Sequence, residues 1–205
     1  MQFHRYLEQL WGSKVSISLV RTLLHYRGKI FTVRKLAEAA GVSSSEAAVV
    51  VQHLEKEGLL RLQPAGKSYL VSLNERNYAL SKIIKPMIKA EQETYAELVS
   101  ILKKHFERGR GAIISAVVFG SVSKGEEKED SDVDLLVISK DFDSATAIVS
   151  KAQEEVSLIF NSRLSPMILS EKELRAKKRD RLVRSIISSH TTVAGEDLKE
   201  LIERK

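Results

Sequence analysis

Two aspartates, two positions apart, are the residues of this sequence best suited to chemistry. Asp132 and Asp134 open the apolar run DVDLLVIS, which has the length and composition of a strand. Residues i and i+2 of a strand point to the same side, so the two carboxylates can converge. Like charges this close repel unless a cation lies between them, and hard oxygen ligands favour Mg²⁺. The spacing is compatible with a magnesium site, but this pair by itself favours two solvated turn aspartates.

A Gly-Ser pair, Gly120 and Ser121, follows the preceding apolar run AIISAVVF. Glycine lets the backbone approach a ligand closely, and serine can begin a short helix. Backbone N–H groups at the start of a helix suit phosphate. We therefore predict that Gly120, Ser121 and Lys124 bind a nucleotide whose phosphates share Mg²⁺ with Asp132 and Asp134.

The combination GSVSKGEEKEDSDVD is more specific than its parts. It places ten residues between Gly-Ser and Asp-x-Asp, and Gly125 and Ser131 match two further positions. The pattern resembles the signature of the DNA polymerase β-type nucleotidyltransferases, above all the minimal ones. This resemblance implies a mixed sheet with flanking helices and an NTP at the Gly-Ser pair. It also implies that Asp132 and Asp134 are catalytic and hold Mg²⁺, in a site suited to two ions.

The members of this superfamily normally supply a third carboxylate from a later strand, and here the sequence departs from the pattern. RLSPMILS is the matching strand, and Ser165 or Pro166 stands where the acid is expected. Glu171 and Glu173 follow, but they fit the first turn of the next helix. Two hypotheses remain. The chain is an enzyme that transfers NMP from NTP to an unknown hydroxyl acceptor, or a DNA-binding regulator whose degenerate domain binds nucleotide or a partner without catalysis.

A basic run, RAKKRDRLVR, occupies residues 175–184 and contains six Lys or Arg residues. One interpretation is a solvated helix face on which Asp180 pairs with its neighbours. The other is a surface for phosphate or nucleic acid. The sequence leaves both open.

The elements around these residues predict an α+β chain of three blocks. The blocks are a winged-helix domain over 1–74, a helical linker over 75–109 and a nucleotidyltransferase-like domain over 110–205. In the linker, a helical stripe of apolar residues predicts core packing or a dimer face, and Pro86 should kink or split the helix. In the last block we predict strands over 112–119, 132–139 and 163–170, and helices over 143–160, 171–190 and 196–205.

The first block has the order helix, short strand, helix, helix, hairpin, and it resembles the small winged-helix repressors of bacteria and archaea. The resemblance implies DNA as a partner, read by Ser44, Ser45 and Gln52 on the helix after Ser43, with Lys67 in the wing. Residues 1–74 hold ten Lys/Arg and five Asp/Glu, which suggests a polyanion partner or simply solubility. By analogy with such repressors we also expect a homodimer.

Composition narrows the function classes further. The chain has no cysteine, which excludes disulfides, zinc–thiolate sites and cysteine nucleophiles and favours a cytoplasmic location. No apolar run approaches the roughly 20 residues that span a bilayer, and the N-terminal residues lack the apolar core of a signal peptide. We therefore expect no membrane partner.

Overall fold

The computed structural model describes residues 13–66, 68–109 and 111–204. The chain divides into two compact units, residues 1–93 and 94–205. The three-block division at 74 and 109 stays a prediction.

The N-terminal unit has the predicted order of helix, short strand, two helices and hairpin. Its three strands form one antiparallel sheet in the order β1-β3-β2. The elements are α1 (Lys14–His25), β1 (Phe31–Thr32), α2 (Val33–Ala40), α3 (Ser44–Lys56), β2 (Leu60–Ala65) and β3 (Ser68–Leu73).

Local side chains set the helix boundaries in this unit. Ser13, Thr32 and Ser43 each precede a helix and accept a hydrogen bond from the backbone N–H three residues later. Gly41 ends α2 with a φ of 66°, a conformation that glycine adopts without strain. The helices then bury one apolar face each, through residues such as Leu19, Leu36, Val51 and Leu54.

A helical stretch follows the hairpin. Leu80–Ile84 form a π-helical turn, and the long helix α4 (Lys85–Arg108) continues from it. Pro86, which was predicted to kink or split the helix, is the second residue of α4 and directly follows the change from π to α geometry.

The C-terminal unit is built on a four-stranded mixed sheet, and the predicted α+β class is confirmed. The strand order is β6-β5-β4-β7; the β5–β6 pair is parallel and the other two pairs are antiparallel. The elements are β4 (Ile113–Phe119), α5 (Gly120–Lys124), β5 (Val133–Ser139), α6 (Phe142–Phe160), β6 (Leu164–Leu169), α7 (Glu171–Ala176), α8 (Arg181–Ser188), β7 (Thr191–Gly195) and α9 (Leu198–Glu203).

Both faces of this sheet are covered. On one face, Leu135 and Val137 of β5 share a buried cluster with residues of α6 and of the C-terminal half of α4. On the other face, Leu136 and Ile138 pack with buried residues of α7, α8 and α9. Alternation along β5 thus fills two cores, which explains its near-continuous apolar sequence.

At the end of the chain one prediction is wrong and one strand was not predicted. The single helix expected over 171–190 is two helices, because Asp180 caps a new one by accepting a hydrogen bond from the Leu182 N–H at 2.7 Å. The strand β7 was not predicted. It is five residues long, and it pairs with β4, whose residues lie more than 70 positions earlier in the chain.

Within the described part of the chain, every helix is too short or too polar to cross a lipid bilayer. The cytoplasmic location inferred from the sequence stays a prediction.

Candidate active site

Gly120 joins the end of β4 to the short helix α5. Its φ of 78° lies in the left-handed region, which side chains other than glycine rarely adopt. A Cβ atom on this residue would lie 3.1 Å from Cγ of Asp134 and would collide with the Oδ2 atom of the same carboxylate. The glycine therefore provides both a sharp turn and the room that brings backbone against the Asp134 carboxylate.

Asp132 and Asp134 stand at the start of β5, at the same edge of the sheet as Gly120. The register sets Asp134 directly opposite Phe119, the residue before Gly120. Asp134 is half-buried, and Asp132, just before the strand, is exposed. Burial raises the pKa of Asp134, and the nearby negative charge of Asp132 raises it further. The two carboxylates therefore repel one another at this edge.

This edge has the character of a cation site. A positive ion between the two carboxylates would relieve the repulsion that contributes to the raised pKa of Asp134, and hard oxygen ligands suit Mg²⁺. Among the described residues, no group of three or more His, Cys, Asp or Glu side chains is arranged to hold a metal. Asp132 and Asp134 would thus supply two ligands, which fits an ion that takes its remaining oxygens from phosphate and water.

A turn in the loop before β5 fixes the position of Asp132. The Lys128 N–H donates to Oγ of Ser131 at 2.8 Å, and the Ser131 N–H donates to the Lys128 carbonyl oxygen at 3.0 Å. In the sequence, Ser131 is notable only as a position that matches the motif. Its hydroxyl closes the turn that leads directly into the paired aspartates.

The other predicted nucleotide residues lie on α5. Ser121 is half-buried in its first turn, and Lys124 is exposed at its end. The Ser123 hydroxyl donates to the Gly120 carbonyl oxygen at 3.1 Å, and Gly125 ends the helix with a φ of 68°. The structure thus brings Gly120, Ser121 and Lys124 onto one tight turn beside the aspartates.

The neighbouring strand holds a serine beside Asp134. Ser165 is the parallel partner of Asp134 in the β5–β6 register, and β6 carries no acidic residue. Met167 and Leu169 pack on the face of α7 to α9, so the two-residue period places Ser165 on the same face as Asp134. The position where the missing acid was expected is therefore occupied by a small hydroxyl side chain.

The next acids along the chain serve the helix that follows β6. Glu173 forms a capping box with Ser170, and this lowers the pKa of Glu173 through the hydrogen bonds from the Ser170 hydroxyl and N–H. Glu171 pairs with Arg175 one turn later. Both acids have structural partners, in agreement with their prediction as first-turn residues.

The predicted DNA-reading residues belong to the other unit. Ser44, Ser45 and Gln52 are exposed on α3, while Ala47 and Val51 on the opposite side of that helix are buried. Lys67, predicted to lie in the wing, falls outside the described residues.

Residues 96–203, just over half of the chain, match the family model described as nucleotidyltransferase domain. Two proteins of Methanocaldococcus jannaschii, both named as candidate protein adenylyltransferases, are similar to part of the chain. MJ1305 is 29% identical over 113 residues, which is 52% of this chain and 77% of that protein. MJ0604 is 30% identical over 89 residues, which is 43% of this chain and 81% of that protein.

Two solved structures also resemble parts of the chain. A toxin–antitoxin structure with AMP-PNP has a TM-score of 0.36 and 14% identity, over 53% of this chain and 81% of that one. TrmBL2, an archaeal chromatin protein with a novel mode of DNA binding, has a TM-score of 0.28 and 19% identity. The match covers 85% of this chain and 71% of that one. Both scores are below 0.5, so neither likeness carries an argument about this chain.

Proposed function

The chain belongs to the nucleotidyltransferase domain family, and from this premise we propose that it transfers NMP from an NTP to a hydroxyl acceptor in an Mg²⁺-dependent reaction. The observation that carries this proposal is the contact between Gly120 and the Asp134 carboxylate, at an edge where Asp132 adds a second negative charge. A tight glycine turn suits phosphate, and paired carboxylates suit the cation that accompanies it.

The proposed reaction is a single displacement at phosphorus. The acceptor hydroxyl oxygen forms a bond to the α-phosphorus of the NTP, and the bond from that phosphorus to the α–β bridging oxygen breaks. Pyrophosphate leaves, and the hydroxyl proton passes to solvent. The turn at Gly120 and Ser121 would hold the triphosphate, with Lys124 as a nearby cation.

Asp132 and Asp134 would hold Mg²⁺, which when bound neutralises charge on the triphosphate and stabilises the charge that develops during transfer. Their contribution is to fix the cation, and with it the phosphates, at this edge of the sheet. Both aspartates are therefore the proposed catalytic residues.

The names of the two M. jannaschii relatives guide the choice of substrates. Both contain the words protein adenylyltransferase, and we extend this to ATP as the nucleotide and a protein hydroxyl as the acceptor to test first.

The direct test uses α-labelled ATP, Mg²⁺ and a cell extract as the source of acceptors. We expect label transfer by the wild-type chain and loss of at least about a hundredfold in Asp132→Asn/Asp134→Asn, because the site no longer holds the cation. Asp130→Asn, an exposed acid in the same loop, is the matched control and should retain transfer. Nucleotide binding without transfer by the wild-type chain would contradict an enzymatic role.

Ser165 favours a second candidate function. Because the strand beside Asp134 lacks an acid, the unit could bind nucleotide without activating an acceptor, as part of a DNA-binding regulator. Ser165→Asp tests this view. If the missing carboxylate limits catalysis, transfer by this variant should rise above wild type by at least about a hundredfold, the lower end of the contribution of a general base.

We further propose that the N-terminal unit is a winged helix that binds DNA, with α3 reading bases through Ser44, Ser45 and Gln52 and with Lys67 in the wing. The order of elements and the exposed polar side of α3 support this. Two half-sites would require a homodimer. Affinity for duplex DNA should fall steeply with salt, and no binding at low salt would contradict the proposal.

A further inference from the structure

The segment of residues 172–184 in the C-terminal unit exposes an unusual density of positive charge. Six of its side chains are exposed cations, and none forms an ion pair with a described carboxylate. They are Lys172, Lys177, Lys178, Arg179, Arg181 and Arg184, called the basic surface below. Other cations of the unit, such as Lys103 and Arg204, are paired with Glu107 and Glu196.

The acids within this segment have structural partners of their own, although Glu173 is also attracted by the charge of Lys177. Glu173 accepts hydrogen bonds from the Ser170 N–H and hydroxyl at 2.8 and 2.7 Å, and Asp180 caps α8. Glu171 pairs with Arg175. Asp180 thus serves as a helix cap and forms no ion pair with its basic neighbours among the described residues, whereas the solvated helix face stays an open interpretation. The cations remain available to an external anion, because the neighbouring carboxylates accept hydrogen bonds at the starts of α7 and α8.

The basic surface is fixed on the same face of the sheet as Asp134. Val183 and Ile186 anchor α8 in the core that contains Leu136 and Ile138 of β5. Asp134 shares the two-residue period of those β5 residues. Three residues after the last residue of α8, Thr191 pairs with Val118, near the end of β4 that leads into Gly120. α8 thus runs toward the edge that carries the aspartates.

The outward side of α8 adds hydroxyl groups to the charge. Arg181, Arg184, Ser185 and Ser188 are exposed at positions i, i+3, i+4 and i+7, which form one stripe of a helix. The stripe is about 12 Å long at the rise of an α-helix. Arg, Lys and Ser side chains are typical donors to the phosphates and sugars of nucleic acids.

The composition of this surface fits a nucleic acid better than a protein. Protein interfaces are built around buried aromatic and aliphatic residues and are depleted in Lys, whereas protein–nucleic acid interfaces are far more positive. Here Leu182 is the large apolar side chain that the segment exposes, at 48%. From this we propose that the basic surface binds the phosphodiester backbone of a polynucleotide, independently of sequence and of the N-terminal unit.

The test measures binding of a fluorescent single-stranded oligonucleotide of about 20 nucleotides to the full chain by anisotropy. The variant Lys177→Gln/Lys178→Gln/Arg179→Gln changes only the turn between α7 and α8 and no core residue; Lys177 is the C-cap of α7 through its backbone N–H, which glutamine retains. We expect affinity at low salt to fall by about tenfold or more. The slope of log K against log salt should shrink by about 2, since each phosphate contact on a single strand contributes about 0.7.

The matched control is Lys104→Gln/Lys140→Gln/Lys151→Gln, which removes the same charge from exposed positions of the same unit. It should change affinity less than about twofold, because only non-local charge is lost. Arg181→Gln/Arg184→Gln, on α8, should weaken binding in the same direction as the turn variant. Equal affinities of the turn variant and the control would overturn the proposal.

Two further measurements distinguish polynucleotide binding from the proposed transfer reaction and from binding of acidic protein. Asp132→Asn/Asp134→Asn should bind the oligonucleotide at least as tightly as wild type, so a failure of the proposed transfer reaction leaves this test intact. If poly-glutamate binds as tightly as the oligonucleotide and loses affinity equally in the turn variant, the surface recognises acidic protein, and the nucleic-acid proposal is wrong.

Discussion

At the scale of single residues, the candidate site depends on one close approach. The turn at Gly120 and the carboxylate of Asp134 occupy neighbouring space, so neither can change without affecting the other. The negative charge of the second aspartate, Asp132, makes ionisation of Asp134 less favourable. A polypeptide maintains such repulsion most readily where a cation or a bound ligand compensates for it.

The first prediction concerns Gly120→Ala. Alanine at a φ of 78° is strained, and its Cβ atom collides with the Asp134 carboxylate, so we expect a loss of about 1–3 kcal/mol in the free energy of unfolding by urea. Gly125→Ala is the matched control, because its φ is 68° but no atom lies within 4 Å of its Cβ position. If the two variants lose equal stability, the contact with Asp134 has no energetic role.

The second prediction follows from the raised pKa of Asp134. In the folded state this carboxyl binds its proton more tightly than in the unfolded state, so stability falls as pH rises from about 3.9 through the raised pKa. Without divalent cations, Asp134→Asn should therefore have a higher Tm than wild type at pH 7. This difference should vanish as the pH falls below about 3.9, where the unfolded carboxyl is also protonated.

Magnesium provides the complementary measurement. Mg²⁺ should raise the Tm of the wild-type chain, because it binds only the folded site, and it should not raise the Tm of Asp134→Asn. A variant that is less stable than wild type at neutral pH without cations would show that Asp134 is a structural residue instead.

At the scale of elements, local patterns in the sequence were sufficient to predict much of the secondary structure of the C-terminal unit. The apolar runs of β4 and β5 and the spacing of Gly120, Asp132 and Asp134 are local, so they predicted strands and one shared edge. The strand β7 depends on pairing with β4, which local pattern does not contain. Likewise, only the register reveals Ser165 as the neighbour of Asp134.

The break between α7 and α8 shows how one side chain can determine where a helix begins. Asp180 lies in a run that favours helix, yet its side chain caps α8. We predict that Asp180→Ala lowers the free energy of unfolding by about 1 kcal/mol, the usual cost of a lost N-cap, whereas Asp180→Asn retains most of it. Urea unfolding measures both. Equal losses would attribute the effect to the charge of Asp180 and not to its hydrogen bond.

At the scale of the whole molecule, the chain combines a unit with exposed polar residues on α3 and a unit with a carboxylate pair. The formal net charge is +6, and residues 1–74 carry five more basic than acidic residues. Positive charge attracts any polyanion at low salt. Binding to DNA alone therefore does not distinguish an enzyme with a targeting unit from a regulator with a nucleotide-binding unit.

The last prediction distinguishes the enzyme from the regulator by measuring both label transfer and duplex affinity in two variants. If the chain is an enzyme whose N-terminal unit binds DNA, Asp132→Asn/Asp134→Asn should abolish label transfer and leave duplex affinity unchanged. Ser44→Ala/Gln52→Ala should weaken preference for a selected duplex by about 1–3 kcal/mol per lost base contact, and it should leave transfer unchanged. If instead ATP changes duplex affinity in the wild-type chain and the aspartate variant loses this response without any transfer, the C-terminal unit serves as a nucleotide sensor.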